Sequence, residues 1–214
     1  MSQSVRIRRG LNINLLGEAD KVYASVKNHN IYALKPTDFH GLTPKLSVKV
    51  GDKVLAGSVI FFDKYNEKIK FCSPVSGTVK DVVRGEKRRI LEVIIESDNE
   101  QKYESHTPLN FKNANREQLI DYMLSNGVWP FIRQKPYDII ANPSDMPKAI
   151  FISAFKSGPL AIDNDFALYG MDNLFQSGLD IITKLTNGKT HLDDQKCIEF
   201  SCPEFFILLK ELIN

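Results

Sequence analysis

The stretch G-V-W-P-F-I-R-Q-K-P-Y, Gly127 to Tyr137, gathers the residues best suited to hold a flat, amphipathic ligand. Trp129, the chain's only tryptophan, and Phe131 offer apolar ring faces. Arg133 and Lys135 offer charged N–H donors, and Pro130 and Pro136 stiffen the loop. A quinone headgroup wants this combination: apolar faces for its ring and a donor for each carbonyl oxygen. The expected cofactor contacts are therefore Trp129, Phe131, Arg133 and Lys135. Packing gives the same side chains a plainer role, with Trp129 and Phe131 filling a domain interface. Physical reasoning alone favours that plainer role.

A second chemistry is raised by V-x-x-G-D-x-V-x-x-G at Val48 to Gly57 and by S-P-V-S-G-T-V at Ser73 to Val79. These frame the carrier domains that swing a lipoyl or biotinyl lysine from a tight hairpin. Biotinyl domains carry M-K-M at the tip, and lipoyl domains carry D-K-[AV]. Counting ten residues from Gly57 lands on Glu67, between Asn66 and Lys68. Lys64, in F-D-K-Y, comes too early and lacks a suitable hydrophobic neighbour. The expectation is a rigid carrier-type frame whose hairpin lysines are solvated charges.

Other reactive groups assemble into nothing. The three cysteines include Cys197 and Cys202, with four residues between them, not the two between the ligands of a zinc knuckle or the thiols of a redox pair. Buried, reduced cysteines are expected. The four histidines are scattered, and H-L-D-D at His191 reads as a polar loop rather than a metal site. After the apolar run ending at Phe155 comes K-S-G-P-L-A-I-D, with one glycine where a dinucleotide loop needs G-x-G-x-x-G. No Ser-His-Asp or Cys-His set and no carboxylate pair stands out. No catalytic residue and no metal ligand are expected. The run R-G-E-K-R-R, Arg84 to Arg89, reads as a tight turn at Gly85 with solvated charges, or as a docking site for an acidic protein or an anionic membrane.

These groups need elements to position them. At 43% hydrophobic and 25% charged, the chain can fill a globular core, and a net charge of +2 argues against a nucleic-acid binder. No apolar run approaches the roughly 20 residues that span a bilayer. The N-terminal M-S-Q-S-V-R-I-R-R-G precedes no signal-type apolar core, so cytoplasmic residence is expected. From Ile31 to Glu96, short Val-, Ile- and Phe-rich runs alternate with glycine and proline turns, the pattern of a β barrel or sandwich. The strand L-E-V-I-I-E alternates poorly, as one buried on both faces would. The polar stretch 97–110 marks a boundary, giving a β domain over 1–104 and a second domain over 105–214.

That second domain opens with a helix capped by Asn115, with Gln118 in the capping-box position and Gly127 past its end. Lys148 to Phe155 reads as a buried parallel strand. Helices at Asp165 to Tyr169 and Asp172 to Leu185 follow, completing a Rossmann-like α/β unit. The end, C-P-E-F-F-I-L-L-K-E-L-I-N, is a short apolar helix candidate. The fold class is thus α+β: an N-terminal barrel-sandwich hybrid of lipoyl/biotinyl type, then an α/β domain.

Several stretches together resemble one family. The opening I-R-R-G-L-N-I-N-L-L-G-E-A is similar to the I-K-x-G-L-D-L-P-I-x-G-x-P of the A subunit of the sodium-translocating NADH:quinone reductase. P-K-L-S-V-K-V-G-D-K-V-L-A-G-S-V-I-F-F-D-K and K-F-C-S-P-V-S-G-T-V resemble its P-K-M-x-V-x-E-G-D-x-V-x-x-G-x-x-L-F-x-D-K and V-x-F-x-S-P-V-S-G. V-K-D-V-V-R-G-E-K-R resembles V-x-x-I-x-R-G-x-K-R, and A-I-F-I-S-A-F-K-S-G-P-L-A-I-D resembles A-I-F-V-x-A-x-D-x-x-P-L-A-x-D. The Trp129 loop resembles G-x-W-T-x-x-R-x-R-P-F: Arg133 and Pro136 match, while Pro130, Lys135 and Tyr137 depart from it. The ordered match runs from about Val5 to Gly188. The later domains of the family are missing from it, so the α/β domain is expected to be incomplete relative to the family.

The resemblance implies a peripheral component of a respiratory complex, placed on the cytoplasmic face of the bacterial inner membrane. That complex passes electrons from NADH to quinone and exports sodium. The chain would be held to the membrane through partner subunits and would contact quinone. Flavins and iron–sulfur centres are expected only in those partners, and Ser76 to Thr78 is not the flavin-attaching S-G-A-T motif. The isolated chain is expected to have no turnover of its own. The alternatives are a non-catalytic docking module and the C subunit of an Rnf-type ferredoxin:NAD oxidoreductase. The latter should add C-x-x-C-x-x-C motifs, which this sequence lacks.

Overall fold

Between residues 31 and 97 the β-branched and aromatic runs form strands in two antiparallel sheets. β1 (Ile31–Leu34), β7 (Ile90–Ser97), β6 (Gly77–Arg84) and β3 (Lys53–Val54) lie side by side in that order. β2 (Pro44–Leu46), β4 (Val59–Asp63) and β5 (Asn66–Cys72) make the second sheet. The computed structural model describes residues 20–154 and 162–192. The N-terminal motif, the K-S-G-P-L-A loop, Cys197, Cys202 and the C-terminal helix candidate lie outside the described residues.

Period-two alternation turns Ile60, Ile69, Phe71, Val79, Val93 and Ile95 into a shared core, with Phe61 also buried. β7 is less enclosed than its sequence suggests: Val93 and Ile95 are buried, while Leu91 and Ile94 are only half-buried. Shifts in the β6–β7 register, on either side of the pairs from Asp81 to Val83, re-aim its side chains.

The β4–β5 hairpin corrects the residue count. Its tip is Lys64-Tyr65, because Asp63 pairs with Asn66. The Asp63 carboxylate accepts from the Tyr65 N–H at 3.3 Å and closes the turn early, as an Asx turn does. Glu67 is therefore a strand residue, 3.1 Å from Lys45 Nζ. Lys64, not Glu67, is the exposed tip residue. Its flank still departs from the carrier pattern, with Tyr65 where lipoyl domains place alanine or valine.

The 97–104 segment returns to the β domain. Ala56 N–H donates to Lys102 O and Glu104 N–H to Ala56 O, both at 2.9 Å. α1 (Arg116–Ser125) then packs Leu119, Ile120, Met123 and Leu124 into the core. It starts where Asn115 lets it: Asn115 Oδ1 accepts from Gln118 N at 2.9 Å and Gln118 Oε1 accepts from Asn115 N at 3.0 Å. Asn115→Ala should therefore cost about 1 kcal/mol in urea unfolding, with Asn115→Ser close to wild type. Gly127 ends the helical region at φ 67°, and a Cβ there would lie 2.6 Å from Cys72 Sγ. This close approach seats α1 on the β domain.

Beyond it, β8 (Arg133–Gln134) and β9 (Ile139–Ile140) form a small hairpin. β10 (Ala149–Ile152) runs parallel to β11 (Lys189–Leu192), with α2 (Asn164–Leu168) and α3 (Asp172–Thr183) between them in the chain. The expected parallel strand is present, but it is not buried on both faces. Ile150, like Ile181 and Ile182, is partly buried against the core, whereas Phe151 is 78% exposed and stacks on His191. Alternation sends successive side chains of this sheet to opposite faces.

Candidate functional site

The Trp129 loop separates its aromatic residues sharply. Residues Trp129–Phe131 form a short 3-10 turn with a proline near its start. A turn of three residues per revolution points neighbouring side chains in different directions. Trp129 goes inward, only 4% exposed, and its Nε1–H donates to Ala141 O at 2.7 Å. That bond satisfies the only polar atom of the indole. Phe131 goes outward, 74% exposed.

Phe131 meets a residue that motif reasoning missed. Its ring packs edge-on to Phe39, with centroids 6.3 Å apart. Phe39 in turn meets Phe71 edge-on at 4.7 Å, and Phe71 stacks on Phe61 at 4.7 Å. The rings thus form a continuous series from the buried core to the surface. Phe39 lies in the β1–β2 connection, more than ninety positions before Arg133 (133 − 39 = 94). Its one sequence signal was a lone aromatic in a glycine- and proline-rich loop.

Arg133 lies over this series, its guanidinium carbon 5.4 Å from the Phe39 centroid. Nη1 donates to Asp138 O at 3.2 Å and Nη2 to Asp38 O at 3.4 Å. These anchors fix the plane of the fork while leaving donors over, since a guanidinium carries more N–H groups than these two bonds use. Lys135 is turned toward Asp138, Nζ to Oδ1 2.7 Å. The hydrogen bond and charge of Lys135 hold the Asp138 carboxyl below its usual pKa. Of the four residues expected in the site, the structure brings Phe131 and Arg133 onto one face around Phe39. It sets Lys135 at the rim and Trp129 inside.

Elsewhere the chemistry is quiet. Cys72 is half-buried, and burial pushes its thiol above the usual value, the opposite of an activated thiolate. Among the described residues no cluster of three His, Cys, Asp or Glu could hold a metal ion. Among them, too, no helix is long and apolar enough to cross a membrane.

Comparison with known families decides the affiliation. Residues 5–98 match the NqrA N-terminal barrel-sandwich hybrid domain, and residues 114–203 match the NqrA second alpha/beta domain. The chain belongs to the NqrA family. The match continues to residue 203, past the Gly188 limit drawn from motifs alone. A relative from Marinomonas sp. (strain MWYL1) is 32% identical over 189 residues, covering 87% of this chain and 42% of the relative. One from Saccharophagus degradans is 33% identical over 187 residues, covering 86% and 42%. One from Hahella chejuensis is 31% identical over 201 residues, covering 93% and 45%. Each is named as the A subunit of a Na(+)-translocating NADH-quinone reductase. The chain spans less than half the length of these curated relatives. The NqrA match also fits the α+β reading: a barrel-sandwich hybrid followed by an α/β domain.

Proposed function

We propose that this chain serves a sodium-translocating NADH–quinone reductase as its peripheral NqrA component, contributing assembly and a contact for the quinone. The observation that carries the quinone contact is the Phe39–Phe131 ring face under the anchored Arg133 fork. An apolar ring lies against the phenylalanines, a carbonyl oxygen accepts from Arg133, and Lys135 stands at the rim for the second carbonyl. Trp129 supports the turn from inside and reports on it. Names carried by the relatives support the same reading over the Rnf alternative. A β domain ending at Glu104 is supported by the Glu104 ties to Ala56 and Ser58. NADH, flavins and iron–sulfur centres belong to partner subunits, which also hold the chain at the cytoplasmic face of the membrane. The isolated chain binds quinone without turning it over.

A short-chain ubiquinone titration followed by Trp129 fluorescence tests the contact. Saturable quenching is expected, and Phe131→Ala should weaken it about tenfold, the ~1.4 kcal/mol of one ring contact. Phe131 is exposed, so its loss leaves the fold intact. Absence of quenching, or quenching indifferent to Phe131→Ala, would sink the quinone contact and leave the docking-module alternative.

A further inference from the structure

The β6–β7 connection, Arg84 to Arg89, is built against the preferences of its own residues. Lys87 and Arg88 both take left-handed backbone, φ 53° and 62°, where glycine or asparagine fits with least strain. The glycine of the turn does not occupy either position. Gly85 is extended, at φ −96° and ψ −158°. A Cβ there would lie 3.1 Å from Leu91 Cδ1, a close approach that a small shift of the leucine side chain relieves. Lysine and arginine at the two left-handed positions serve no backbone purpose. A local rule broken in this way marks side chains kept for what they present.

What they present is exposed positive charge on a hydrogen-bonded backbone. Gly85 N–H donates to Arg89 O at 2.8 Å, Arg89 N–H to Glu86 O at 3.1 Å, and Arg84 Nη1 to Arg88 O at 3.2 Å. The side chains of Arg84, Lys87, Arg88 and Arg89 are all exposed. Among the described residues, Lys87, Arg88 and Arg89 take part in no ion pair.

We propose that this turn is a docking surface for an acidic segment of a partner protein. A fluid anionic membrane needs only charge density, and it gains from apolar side chains that enter it. The turn offers no apolar side chain between Arg84 and Arg89, and Glu86 sits in its middle. Guanidinium and ammonium groups gathered around one carboxylate on a hydrogen-bonded turn match the carboxylates of an acidic protein segment, each able to accept a charge-assisted hydrogen bond. The proposal rests on the NqrA reading for the existence of a partner, and it names the surface and the charge that partner must bring.

The test uses the whole chain, a deca-glutamate peptide and, in parallel, phosphatidylglycerol vesicles. The peptide should bind with an affinity that falls as salt rises. Lys87→Asn/Arg88→Gly/Arg89→Gln should lose at least about tenfold in affinity, as rim charges removed together do. It should melt no lower than wild type, since asparagine and glycine suit the left-handed positions. Lys64→Gln/Lys68→Gln, which removes lysines from the β4–β5 hairpin, should change the affinity little. No peptide binding, equal loss in both variants, or turn-dependent capture by vesicles without peptide binding would each overturn the proposal. The assay involves neither quinone nor other subunits, so its failure is separate from failure of the quinone titration.

Discussion

Trp129→Ala should lower the stability of the chain by about 3–5 kcal/mol, the range for emptying a buried large aromatic site. Trp129 is almost wholly buried, and it packs in the cluster shared by α1 and the β domain. Its removal leaves a cavity and strips the Ala141 carbonyl of its donor. The Ala141 carbonyl is only part-buried, so losing its donor adds about 1 kcal/mol, the net worth of one hydrogen bond, to the damage. Trp129→Phe separates the two effects. Phenylalanine refills most of the volume but cannot donate, so its cost should be near that of the lost hydrogen bond alone. Urea unfolding followed by circular dichroism measures both without the tryptophan signal. The same pair bears on the site: with the indole inside and its N–H engaged, Trp129→Phe should bind quinone as wild type does, read by equilibrium dialysis. A strong loss of affinity in that variant would move Trp129 into the ligand face. A midpoint for Trp129→Ala equal to wild type would refute its packing role.

Gly77→Ala should cost about 3 kcal/mol or more, at the upper end for forcing atoms into a packed site. Gly77 sits in S-P-V-S-G-T-V where β6 begins, paired with Ser97 of β7. A Cβ there would lie 2.0 Å from the Glu96 carbonyl oxygen. The obstacle is main chain within a ladder, so no side-chain rotation relieves it. Beside it, fully buried Ser76 donates its N–H to Gln101 Oε1 at 2.8 Å and accepts from Lys102 N–H at 2.9 Å. Pushing β6 away from β7 would break these bonds as well. The expected result is a large drop in melting temperature, with the near-ultraviolet signal lost in the same transition. A variant melting within a few degrees of wild type would mean that the strands part freely here, contrary to their register.

Legibility followed the range of the interaction. The capping box of Asn115 and Gln118 could be read directly, because its partners are three residues apart and its chemistry is local. Most strands of the β domain were legible for the same reason, since glycine and proline punctuate runs whose alternation is itself local. The hairpin tip was not. A count borrowed from carrier domains pointed to Glu67, while one carboxylate, Asp63, closed the turn at Lys64-Tyr65. The Arg84–Arg89 turn misled in the other direction: its glycine takes extended backbone, and the left-handed positions fall to Lys87 and Arg88.

Residue order was enough to establish the family-specific series of motifs, the α+β class and the presence of a tryptophan–phenylalanine–arginine loop. Long-range packing was needed to turn Trp129 in and Phe131 out, and to join Phe39 to Phe131 and Arg133. Periodicity records which residues share a face of one element. It carries no record of which face the rest of the chain will cover. That choice is made when the β domain and α1 close over the loop, because burying the indole there removes its apolar surface from water and supplies a carbonyl for its N–H.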